Sequence, residues 1–151
     1  MLKAIKQFFE ESISPDTSGD IDHRLKLATA ALFIEMMQQD GKKTDGEEKK
    51  VKEVLQTKFA LSETETHELF DLAHEEASQA VDFYQFTNLI HQHFSQQKKI
   101  KIVEYLWEIA YADKHLDSYE EHMVRRIADL IYVQHQDFIK AKHKVLDKLG
   151  L

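Results

Sequence analysis

Six carboxylates with a repeated spacing are the residues most suited to chemistry. Asp40, Asp45 and Glu47 crowd one short stretch, and Asp113, Asp117 and Glu120 crowd another. Oxygen-rich clusters of this kind are what hard divalent cations such as calcium or magnesium take as ligands. The spacing is not that of an EF-hand loop. Counting from Asp40, the sixth position is Asp45 rather than glycine, and the twelfth is Val51 rather than glutamate. From Asp113 the twelfth is Val124. A cation held here would be bound weakly and in another geometry. Thr44-x-x-Glu47 and Asp117-x-x-Glu120 also fit the helix capping box, which accounts for those four residues without any ligand. Asp40 and Asp113 are different. Each follows an apolar run, at the carboxyl-terminal end of a helix, where negative charge is disfavoured. Each is read either as a turn-forming side chain or as a ligand.

The two stretches register at an offset of 73 residues. Asp40 aligns with Asp113, Thr44 with Asp117, Glu47 with Glu120, Glu48 with Glu121, Val51 with Val124, Val54 with Ile127 and Phe59 with Tyr132. This pattern reads as an internal duplication of a helix–acidic turn–helix unit.

The elements that must position these turns follow from periodicity. A helix from about Asp20 to Gln39 is apolar nearly all round, through Leu25, Ala28, Leu32, Phe33, Ile34 and Met36, so it is central. Ile102 to Ala112 is its counterpart. Thr44 to Phe59 and Asp117 to Tyr132 are amphipathic partners with 3–4 spacing. Ser62 with Glu65 is a capping box opening a helix through Phe70 and Ala77. Asp82 can cap a helix carrying Phe83, Phe86, Ile90 and Phe94. A last helix from about Gln136 carries Phe138, Ala141 and Val145. No strand-like alternation occurs. The expectation is an all-α, single-domain bundle of seven or eight helices with pseudo-twofold duplication. Residues 1–19 would form an amphipathic helix (Leu2, Ile5, Phe8, Phe9) and a linker, and residues 20–151 the helical domain.

Composition narrows the function classes. The chain has 151 residues and a net charge of −7, which argues against non-specific nucleic-acid binding. It contains no cysteine, which removes disulfides, thiolate metal sites and thiol redox chemistry. No apolar run reaches the roughly 18 residues needed to span a bilayer, and the start lacks a secretion-signal pattern. The expected location is cytoplasmic. The first helix leaves peripheral membrane contact or a homodimer open, besides packing on its own core.

Nine histidines raise zinc, but His91-x-His93 and His115 with His122 match no two-histidine helical motif. Glu35 and Glu108, matched at the same offset, lie within the central helices. They would be salt-bridged or at the rim, or else form a carboxylate and histidine site between the helix pairs. Phosphate loops, nucleophile elbows and dinucleotide fingerprints are absent, so no catalytic residue is assigned.

At the duplicated turns the chain resembles the TerB-like family, the tellurite-resistance TerB proteins and their bacterial relatives. The residues carrying this resemblance are Leu32-Phe33-Ile34-Glu35-Met36-Met37-Gln38-Gln39-Asp40-Gly41 and Trp107 to His122, continued by Arg125-Arg126-Ile127-Ala128-Asp129-Leu130. The second turn has Lys114 where the family has glycine. The resemblance implies an all-α fold, an acidic surface for a divalent cation or a protein partner, and a non-enzymatic role in stress or tellurite resistance. Direct reduction of tellurite by thiols is excluded, because the chain has none.

Overall fold

The computed structural model describes residue 10 and residues 21–40, 45–78, 84–112 and 118–151. Within the helices, nothing is described of the side chains at 38–40, 45–47, 73, 75–78, 84–86 and 118–119. The expected first helix falls almost wholly outside the described residues, as do Thr44, Asp82 and Phe83. Among the described residues seven helices follow in order: α1 (Ile21–Asp40), α2 (Asp45–Lys58), α3 (Glu63–Ser78), α4 (Tyr84–His93), α5 (Gln96–Ala110), α6 (Ser118–Leu130) and α7 (His135–Leu149). Among the described residues there is no strand, and no helix is long and apolar enough to cross a membrane.

α1 and α5 pack against each other at the centre, with α3 laid on α1 and α7 on α5. α6 packs against both central helices and against α7, and α2 against α3 and α5. α6 begins 73 residues after α2.

The sequence explains why α1 is central. Ala28, Thr29, Ala30 and Ala31 are buried in succession, so the helix is enclosed on every side at that level. The Thr29 hydroxyl would be a costly guest there without a partner; its Oγ1 donates to the Leu25 carbonyl at 2.7 Å. On α2 and α6 the apolar stripe is narrower. Val51, Val54, Leu55, Val124, Ile127 and Ala128 are buried, and the opposite faces carry charge.

Helix ends follow local chemistry. Ser62 and Glu65 form the capping box expected from their spacing: the Glu65 amide donates to Ser62 Oγ at 3.0 Å, and the Ser62 amide to Glu65 Oε1 at 2.9 Å. α5 starts at Gln96, six residues before the expected Ile102, because Ser95 accepts a hydrogen bond from the Lys98 amide and caps it. α7 closes with Gly150 at φ 74°. The Leu151 amide returns to the Leu146 carbonyl at 2.9 Å, an arrangement that needs a left-handed residue. After α6 that position is held by Tyr132 at φ 63°, a conformation that side chains rarely adopt.

Candidate functional site

Asp40 is the last residue of α1, Asp45 the first of α2 and Glu47 lies in the first turn of α2; their side chains are not among those described. Asp113, Asp117 and His115 lie outside the described residues altogether. Glu120 is described. It stands in the first turn of α6, its side chain 14% exposed, and its Oε1 accepts from Lys50 Nζ at 3.2 Å. Lys50 belongs to α2, so the amino-terminal parts of the two outer helices come within one side chain of each other.

The neighbouring carboxylates are engaged as well. Glu48 meets His74 Nε2 at 2.9 Å, and Glu121 meets Lys142 at 3.7 Å. Glu48, Glu120 and Glu121 are thus met by cationic or imidazole groups from α2, α3 and α7. None of these partners is visible in the sequence pattern, since each stands more than twenty residues from its acid.

Glu35 and Glu108 diverge in their surroundings. Glu35 is buried in α1. Glu108 accepts from Lys148 at 2.8 Å, and that contact raises the Lys148 value. Next along α5, Glu104 meets Lys101 at 3.5 Å and Lys144 at 3.4 Å. Glu108 therefore matches the salt-bridged expectation. An open cavity of about 520 Å³ lies elsewhere, lined by Glu63, Thr64, His67, Glu68 and Asp71 of α3. α3 carries six acids and no lysine or arginine, whereas α7 carries four lysines against two acids. Among the described residues no group of three His, Asp or Glu side chains is placed to hold a metal ion.

A second polar centre joins α1 to α5 and was not foreseen. Asp22 accepts from the Tyr105 hydroxyl and pairs with Lys26 at 3.3 Å. Lys101 lies over the Tyr105 ring at 5.0 Å. Burial works to raise the Asp22 value, but the Tyr105 hydroxyl and Lys26 outweigh it and hold the carboxyl below its ordinary range. Burial, then Asp22, push the Tyr105 phenol well above its ordinary value. Glu65 is similarly lowered: burial opposes, while the Ser62 amide and His23 at 2.7 Å prevail.

The signs give a pH dependence. Lowered carboxylates stabilise the fold above their unfolded values, near pH 4, and that stability is lost as pH falls through the folded values. The raised phenol contributes below about pH 10, and its contribution is lost as pH rises through the folded value. Tyr105→Phe removes the hydroxyl. Because the Asp22 side chain is 46% exposed, the expected loss at neutral pH is about 1 kcal/mol, below the usual range for hydrogen bonds to charged groups. The variant should also lose less stability than wild type between about pH 5 and pH 3. Urea midpoints across that range check this, and parallel wild-type and variant curves would refute it.

A family model described as tellurite resistance protein TerB matches residues 26–143. No curated protein and no solved structure matches the chain.

Proposed function

The chain belongs to the family of the tellurite resistance protein TerB, and from that premise we propose a non-enzymatic helical module that presents an acidic surface to a divalent cation or to a basic protein partner. The Lys50–Glu120 ion pair carries this reading. It ties together the two outer helices that follow the acidic stretches. In this proposal the carboxylates of both stretches, Asp40, Asp45 and Glu47 with Asp113, Asp117 and Glu120, would serve one ligand. Hard cations favour such oxygen-rich surroundings, and a lysine- or arginine-rich surface would be steered to them at low ionic strength. The site residues, the cation and the partner belong to this proposal, as does a cytoplasmic location.

Titration with magnesium, calcium and manganese tests the cation arm. For a dissociation constant near 1 mM, 10 mM ion stabilises the folded state by about 1.4 kcal/mol. A chain of this size should then melt about 4 °C higher. The Asp40→Asn, Asp113→Asn double variant should lose the shift. Absence of both heat and shift in the wild type overturns cation binding. A basic partner would then show itself by association that weakens steeply with salt.

A further inference from the structure

Lys99 is the most unusual cation among the described residues. It is 3% exposed, its Nζ lies 2.6 Å from His91 Nδ1, and no carboxylate among the described residues pairs with it. The residue stands in the first turn of α5, and helical side chains lean toward the amino-terminal end. There the helix dipole disfavours a cation and favours an anion. An ammonium at this position is therefore opposed by burial, by the dipole and by the lack of a counter-charge. Burial does hold the Lys99 amine below the ordinary lysine value. A buried amine that is readily neutral is a nucleophile, and His91 is a proton acceptor within reach.

We propose that Lys99 is a carbon dioxide acceptor, forming a carbamate whose released proton passes to His91. The amine lone pair bonds to the carbon, a C=O π pair moves to oxygen, and one N–H proton transfers to His91 Nδ1. Atoms and charge balance without a further reactant. The products are a carbamate anion and an imidazolium, so a buried neutral amine beside a neutral imidazole becomes an ion pair, its anion near the positive end of α5. Carbon dioxide, three atoms in line, requires little space. His91 is half-buried, and its ring lies 4.3 Å from that of Tyr132. Tyr132 is 65% exposed, and its carbonyl is held by Gln96 Nε2 at 3.0 Å. Among the described residues, the titratable groups meeting this centre are His91 from α4 and Tyr132 from the turn after α6. Lys98 is the sequence neighbour on α5.

The full-length chain, equilibrated with isotopically labelled bicarbonate near pH 8, is treated with a trialkyloxonium salt, which esterifies carbamates, and is then digested and mapped by mass. The label is expected on Lys99, at about tenfold the occupancy of exposed Lys52, Lys58 and Lys140, since burial shifts this amine toward its neutral, nucleophilic form. His91→Phe, which keeps a ring against Tyr132, should reduce the label. Lys99→Arg should abolish the label in the peptide that contains position 99. Absence of label at Lys99 in the wild type overturns the proposal, and so does an even spread over the exposed lysines. Both outcomes are read without any variant having to fold.

Discussion

Trp107→Ala is expected to remove about 4 kcal/mol of stability, most of the margin of a domain this size. Trp107 is 1% exposed. Its ring lies 5.0 Å from that of Phe138 and 5.9 Å from that of Tyr111. Its Nε1 donates to the Phe138 carbonyl at 3.2 Å, and Lys142 Nζ stands 5.3 Å from the ring centroid. One side chain thus joins α5 to α7 through apolar area, a hydrogen bond and a cation on the ring face. Truncation leaves a cavity that the enclosing helices can fill only in part. Trp107→Phe keeps much of the volume and should cost about half as much. Urea denaturation followed by far-ultraviolet circular dichroism measures both. A loss below about 1 kcal/mol for the alanine variant would show that α7 is not held through this ring.

The second large effect concerns added volume. Ala28, Thr29 and Ala30 are 0% exposed and Ala31 is 5% exposed, with neighbours from α3, α4, α5 and α6 packed along α1. Small side chains let those helices approach closely. Ala30→Leu adds three carbons where no quadrant opens to water. The expected cost is about 3 kcal/mol, the upper end for overpacking a close-packed core. That corresponds to melting about 9 °C lower for a chain of this length. Gln56→Leu, on the exposed face of α2, serves as a control and should move the midpoint by less than about 2 °C. Equal effects at the two positions would mean that α1 is not enclosed as described.

Much of this architecture was legible in the sequence, and particular residues explain why. Val51, Val54 and Leu55 repeat at helical spacing, and all three are buried. Ser62 and Glu65 carry their hydrogen bonds within four residues, so a local pattern suffices to find them. The start of α5 was not legible from apolar periodicity, since Gln96, Gln97, Lys98 and Lys99 offer none. Its signal was the N-cap Ser95, and Lys99 is buried along a stem that periodicity counts as polar. The carboxylates of the candidate site were legible as a spacing, but their partners were not. Lys50 finds Glu120 across 70 residues, and Tyr105 finds Asp22 across 83. Such contacts are set by how α1, α2, α5 and α6 cross, which no local pattern encodes.

The contrast between α3 and α7 has a bearing on encounter. Contacts run from α3 to α1, from α1 to α5 and from α5 to α7, so the six acids and the lysine-rich helix lie at the two ends of that series. Charge is thus unevenly shared between these two helices, beside a net charge of −7 for the chain. In dilute electrolyte a cationic surface would be drawn toward the unbroken acidity of α3, whereas the lysines of α7 are largely matched by Glu104, Glu108 and Glu121. At physiological salt this attraction survives only over the last ~8 Å of approach.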